Sequence, residues 1–211
     1  MKMKAIIFDL DGVIVSTDSL HYQAWKALAD SEGIYFDEEI NNRLRGVSRM
    51  ESLEIILERT TRTYTYEEKI AMAERKNGIY RELLKVLTPD DRLDGVTETL
   101  EILRSKGYKL AIGSSSKNTP IILEKIGYGG YFDVISDGNN IKNSKPDPEV
   151  FLKAAEYLHF SPSECYVVED AEAGIVAAKV GGFTAIGIGA ASRVPQVDYS
   201  INTFADLLNV L

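Results

Sequence analysis

The chain has 211 residues, 45% of them hydrophobic, enough for one substantial core or a core domain with a smaller partner. Its formal net charge is −8 and its Lys and Arg residues form no cluster, so a nucleic acid or an anionic membrane is not the expected partner. The single cysteine, Cys165, precludes an internal disulfide and suits a reducing cytoplasm, and no run reaches the ~20 apolar residues of a membrane span.

The elements alternate with one interruption. Residues 5–10 form a short apolar run ending in acidic residues, as a strand buried on both faces would. From about 17 to 87 the pattern is helical throughout. His21, Trp25 and Leu28 share a face, and Ser48-x-x-Glu51 and Thr65-x-x-Glu68 are capping boxes before apolar residues at 3–4 spacing. Alternation then resumes. Helices are expected over 97–106, 120–126, 148–158 and 173–180, and strands over 109–113, 132–136, 166–168 and 183–188. Asp147-Pro148 and Ser161-Pro162, the latter with Glu164, both read as helix starts. This is the pattern of a parallel α/β sheet covered by helices, with a helical insertion after the first strand.

The first strand ends in Asp9-Leu10-Asp11-Gly12. Asp-Gly is ordinary turn chemistry. Two carboxylates two residues apart at a strand end, however, repel each other, and neither has an obvious helix to cap. A carboxylate at the strand end can be held for in-line attack on phosphorus, and one a step into the loop can reach the oxygen that leaves or enters. Asp9 is therefore the candidate nucleophile and Asp11 the candidate general acid and base. That division needs Asp9 ionised and Asp11 able to hold a proton.

A carboxylate meets a phosphate dianion only when charge is neutralised, and three features could do this. Glu169-Asp170 closes the strand at 166–168; beside Asp9 it would make a carboxylate-rich site suited to Mg²⁺, although the same pair could cap the next helix. Lys145 precedes Pro146, a setting in which lysine is commonly solvated. Gly113-Ser114-Ser115-Ser116 lies between a strand and a helix and offers hydroxyl and N–H groups to a phosphate.

Taken together, Asp9-Leu10-Asp11-Gly12, Ser114, Lys145 in Ser144-Lys145-Pro146-Asp147-Pro148, and Glu169-Asp170 resemble the four motifs of the haloacid dehalogenase (HAD) superfamily, over essentially the whole chain. The resemblance implies a Rossmann-like parallel-sheet core (1–15 and 89–211) with a small helical cap domain (16–88) inserted after the first strand. It implies a phospho-Asp9 intermediate and phosphate held by Ser114, Ser115 and Lys145. Mg²⁺ would be bound by Asp9, the Asp11 carbonyl and Asp170, with Glu169 in support.

Finer features resemble the β-phosphoglucomutases within that superfamily. They are His21 and Trp25 in His-Tyr-Gln-Ala-Trp-Lys-Ala-Leu-Ala, Gly46-Val47-Ser48-Arg49, Lys76-Asn77, and Ser116-Lys117-Asn118. The resemblance implies sugar contacts from Trp25, Gly46, Val47, Ser48 and Lys76, a second phosphate on Arg49, Ser116 and Asn118, and His21 as a hinge partner of Asp11. A bidentate arginine fork suits such a phosphate. Without the resemblance, Arg49 reads as a solvated helix residue, Trp25 as helical core, His21 as a buried hydrogen-bonded histidine and Lys76 as a surface lysine. Ser16 and Asp94 depart from the family pattern, where acidic residues and proline respectively are common. The implied reaction interconverts β-D-glucose 1-phosphate and glucose 6-phosphate through a 1,6-bisphosphate, in a cytoplasmic monomer. A Mg²⁺-dependent sugar-phosphate phosphatase, which lets water reach phospho-Asp9, is the alternative. A non-catalytic sugar-phosphate binder is the rival of a different class.

Overall fold

The computed structural model describes residues 4–44 and 47–211. The chain divides into two compact units, Met1–Ser16 with Leu87–Leu211, and Thr17–Val86. In the first, β1 (Ala5–Phe8) is completely buried, which is why its four residues are apolar without alternation.

The Thr17–Val86 unit holds α1 (Asp18–Glu32), α2 (Glu38–Asn42), α3 (Arg49–Leu57) and α4 (Tyr66–Leu83), with no strand among its described residues. Both expected capping boxes form. Ser48 Oγ accepts from Glu51 N and Glu51 from Ser48 N; Thr65 and Glu68 repeat the arrangement at α4. Gly33, at φ +68°, ends α1 in the left-handed conformation that glycine adopts freely. Leu28, Phe36, Leu53, Ile56 and Met72 form the unit's core.

The larger unit continues with α5 (Val96–Ser105), β2 (Lys109–Gly113), α6 (Thr119–Lys125), β3 (Val134–Ser136), α7 (Glu149–Tyr157), β4 (Cys165–Glu169), α8 (Glu172–Val180), β5 (Thr184–Gly187), β6 (Tyr199–Ser200) and α9 (Leu207–Val210). All six strands are parallel, in the order β3-β2-β1-β4-β5-β6. On one face Ala5, Ile7, Ala111, Val167 and Ala185 pack with Val150, Phe151 and Ala154 of α7 and Ile175 and Ala178 of α8. On the other, the ring of Phe8 meets Phe132 and Phe204. Cys165 lies in the first of these layers, where burial pushes its thiol up to about 12, so it is an inert core residue as its apolar neighbours suggest. No described helix is long and apolar enough to cross a membrane.

Two helix starts differ from expectation. Pro148 precedes α7 rather than opening it, and Asp147 Oδ1 accepts from Glu149 N at 2.9 Å. Ser161-Pro162 begins a single 3₁₀ turn, closed by Glu164, because the chain must enter β4 at once. The two-residue β6 was not expected either; both its residues are exposed, so burial leaves no apolar pattern there.

The order of strands fixes where a ligand belongs. The chain runs outward from β1 to β3 and then returns to β4 on the other side of β1, so the crevice at the carboxyl ends of β1 and β4 is the topological switch point.

Candidate active site

Asp9 follows β1 at that crevice. Its N–H donates to Val168 O (2.9 Å), extending the pairing with β4 by one residue. Phe8 pairs with Ile112 on one side and Val168 on the other, so Asp9 stands level with Gly113 and Glu169. The Asp9 side chain is buried and accepts from Lys145 Nζ at 2.5 Å through Oδ1. Lys145, only 3% exposed, also donates to Glu169 Oε1, and its ammonium lies 4.8 Å from the centroid of Phe151. Lys145 is thus not the solvated lysine that its place before Pro146 would suggest by itself: the two carboxylates compensate the loss of water. Burial alone would lower the lysine pKa, but Asp9 and Glu169 more than reverse this, and it is raised.

The loop after Asp9 is tight. Gly12 N donates to Val15 O (2.7 Å), and Ile14 N to Leu10 O (2.9 Å). Gly12 has φ +84°, and a Cβ on it would lie 2.2 Å from Asp170 Oδ2, so backbone conformation and close approach both require glycine. Glycine recurs at 174 for the second reason. A Cβ there would fall inside contact distance of the Glu169 carboxyl, so α8 can start against that side chain only without one. Glu169 Oε2 also accepts from Ala171 N at 3.0 Å, so it serves the helix start as well as the cluster.

Asp9, Glu169 and Asp170 each offer a carboxylate oxygen, all within 4.8 Å of one another. Burial pushes Glu169 up to about 7 against the attraction of Lys145, with Asp9 adding repulsion. Burial, then the charges of Glu169, Asp9 and Asp11, push Asp170 up to about 8. One lysine does not balance this much negative charge, and hard oxygen donors in such excess fit a divalent cation of the Mg²⁺ type.

The hydroxyl loop follows β2. Ser114 N donates to Ser136 O (3.1 Å), Ser114 Oγ accepts from Ser116 N (3.2 Å), Ser116 Oγ from Asn118 N (3.2 Å), and Ser115 Oγ from Lys145 N (3.5 Å). Ser114 and Asn118 are buried, Ser115 and Ser116 half-buried. The turn after β3 braces this loop, a role the sequence reading missed. A Cβ on Gly138 would lie 2.4 Å from Ser115 O, and Asn139 Nδ2 donates to Lys117 O (3.0 Å). The sequence signal was Asp137-Gly138-Asn139 at a strand end. Phe151 and Gly174 were missed as well, the first because it looks like any helix-core residue.

The remaining candidates belong to the helical unit. Lys76, a surface lysine only when read without the resemblance, is 2% exposed; its Nζ is 2.8 Å from His21 Nδ1 and lies 4.7 Å from the Trp25 ring and 4.5 Å from the Tyr80 ring. Aromatic faces and an imidazole nitrogen replace its water. Burial, Lys76 and Arg49 together hold His21 well below the usual histidine pKa, so at neutral pH it is uncharged with Nδ1 accepting. Trp25 is a core residue of this unit. Arg49 is half-buried and donates to Asn77 Oδ1 (2.9 Å); burial lowers its pKa. Val47 and Ser48 are half-buried, and the Ser48 N–H is taken by Glu51 (2.8 Å). Gly46 lies outside the described residues.

A parallel sheet with an acidic pair closing β1, a buried lysine across it and an acidic pair closing β4 defines a phosphoryl-transfer class. The chain belongs to the haloacid dehalogenase-like hydrolase family, whose model matches residues 3–182. Among its relatives, it is 42% identical over 207 residues to a β-phosphoglucomutase of Bacillus subtilis, covering 97% of this chain and 92% of that one. It is 36% identical over 209 residues to a phosphorylated carbohydrates phosphatase of Thermotoga maritima, covering 98% and 90%. A crystal structure of β-phosphoglucomutase from Clostridium difficile superposes with a TM-score of 0.91 at 39% identity, covering 97% of this chain and 93% of that one.

Proposed function

We propose that this chain is a Mg²⁺-dependent phosphomutase that interconverts β-D-glucose 1-phosphate and glucose 6-phosphate through phospho-Asp9 and a glucose 1,6-bisphosphate. The observation that carries the reading is the buried Asp9 carboxylate at the end of β1, tied to Lys145 beside the Glu169–Asp170 pair. The likeness to β-phosphoglucomutases across nearly the whole chain supports the choice of substrate.

In the mutase half-reaction, an Asp9 oxygen attacks phosphorus of the bisphosphate and the bond from phosphorus to the sugar oxygen breaks. Asp11 gives that oxygen its proton, and it takes a sugar hydroxyl's proton when the phosphoryl group returns. Lys145 offers positive charge to the transferring group, and Ser114 and Ser115 offer hydrogen bonds to its oxygens. Ser116, Asn118 and Arg49 hold the other phosphate, while Trp25, Gly46, Val47, Ser48 and Lys76 serve the sugar. His21, kept neutral beside Lys76, is the hinge residue. Asp9, the Asp11 carbonyl, Glu169 and Asp170 would hold Mg²⁺. Bound there, it would neutralise phosphate charge and orient the phosphate oxygens. The substrate is a small anionic sugar phosphate, and we propose a cytoplasmic monomer.

A sugar-phosphate phosphatase is the second reading, favoured by the Thermotoga relative. The test is β-glucose 1-phosphate with Mg²⁺ and a trace of the 1,6-bisphosphate. Glucose 6-phosphate without stoichiometric inorganic phosphate supports the mutase. Free phosphate and glucose alone would reject it for the phosphatase.

A further inference from the structure

Phe151 is fully buried on α7, and its ring is fixed edge-on by Phe183 (centroids 6.1 Å, 69° between planes). The strand that leads to Ser114 makes room for it. A Cβ on Gly113 would lie 2.7 Å from the Phe151 ring and 3.0 Å from Ile7 Cγ2, so a side chain there would displace the ring. The ring in turn stands 4.8 Å from Lys145 Nζ, the ammonium that bonds Asp9 and Glu169. Gly113, Phe151, Lys145 and Asp9 are thus one chain of contacts from β2 to the reactive carboxylate.

We propose that Phe151 is a positioning residue for phosphoryl transfer, its aromatic face holding the Lys145 ammonium over Asp9 so that an N–H remains for a phosphate oxygen. A lysine ammonium has three N–H donors and no acceptor. Asp9 and Glu169 take two of them. The ring attracts the cation through its quadrupole without needing a lone pair as partner, and that attraction is strongest where water is excluded. An aliphatic side chain of similar volume would keep the packing and lose the attraction.

The inference rests on the phospho-Asp9 reading, so the test has two readouts. Phenylalanine with one, two and three ring fluorines is placed at 151 in the full chain, which weakens the quadrupole at nearly constant shape. The rate of acyl-phosphate formation from acetyl phosphate with Mg²⁺ is followed, together with Tm and the ¹⁵N-detected Lys145 ammonium signal of the metal-free protein. The rate should fall stepwise with fluorine number, by on the order of tenfold across the series. Tm should stay level, and the ammonium protons should exchange faster at each step. A flat rate and an unmoved ammonium signal would overturn the proposal, as would a rate loss that follows Tm instead of fluorine number. If the unsubstituted protein does not label, phospho-Asp9 fails instead. The ammonium signal then decides the cation–ring contact alone: movement with fluorine number supports it, and none removes it.

Discussion

Gly12 and Asp170 occupy adjoining space with no room for one more atom: a Cβ on Gly12 would lie 2.2 Å from Asp170 Oδ2. The glycine of the Asp9–Gly12 motif therefore sets the position of a carboxylate 158 residues later in the chain. Gly12→Ala should displace Asp170 and add the roughly 1–2 kcal/mol cost of a left-handed alanine. The expected result is a modest drop in Tm, a Mg²⁺ requirement raised at least about tenfold and a fall in turnover of about 100-fold. Mg²⁺ titrations of activity, with a melting curve alongside, check this.

Lys145→Met separates two jobs of the lysine. Removing the ammonium leaves Asp9 and Glu169 buried without their partner, a loss of about 3–5 kcal/mol in metal-free protein. The same change removes a positive charge from the carboxylate cluster. Mg²⁺ should therefore bind more tightly to the variant, by calorimetry, and restore part of the lost stability, while turnover falls by about 10³-fold or more. Weaker Mg²⁺ binding would show that Lys145 organises the ligands instead of competing with the metal.

The raised pKa values of Glu169 (about 7) and Asp170 (about 8) fix the direction of a pH effect in metal-free protein. Both exceed their unfolded values, so the folded state binds protons the unfolded state releases. Their stabilising contribution is complete below about pH 4 and is lost as pH rises through 7 to 8. Denaturant unfolding in chelator should show stability declining over pH 5–8, by at most about 1.4 kcal/mol per unit for each group. Mg²⁺ replaces the protons, so its stabilising effect should grow with pH across the same window. A Mg²⁺ effect independent of pH would contradict the assignment.

His21 and His159 are the only histidines, so each ring can be assigned by NMR. Burial and then Lys76 are the leading causes of the depressed His21 pKa. Lys76→Met removes that charge and should raise the His21 pKa toward the ordinary histidine value. An unchanged His21 titration would mean that burial and Arg49 set it without Lys76.

Much of the larger unit was readable because its strands are buried on both faces. The five expected strand runs coincide with β1 to β5 within two residues or so, and the acidic pairs fall at the ends of β1 and β4. Taken alone, without the other motifs, Lys145 and Lys76 read as solvent-facing for one physical reason. The groups that compensate their burial, Asp9 for the first and His21 for the second, lie 136 and 55 residues away, beyond any local pattern. Gly138 and Gly174 were equally opaque, since a glycine needed for close approach looks in sequence like one needed for a turn. The edge strand β6 pairs through its backbone alone and leaves its side chains in solvent.

The most direct test of the central claim is the chemical state of Asp9 after acid quench during turnover of β-glucose 1-phosphate with Mg²⁺ and the 1,6-bisphosphate. One hydroxylamine-sensitive phosphoryl group per chain should appear on the peptide containing Asp9, and Asp9→Asn should lose both the label and turnover. Turnover retained by Asp9→Asn, or a phosphoryl group on another peptide, would contradict the account.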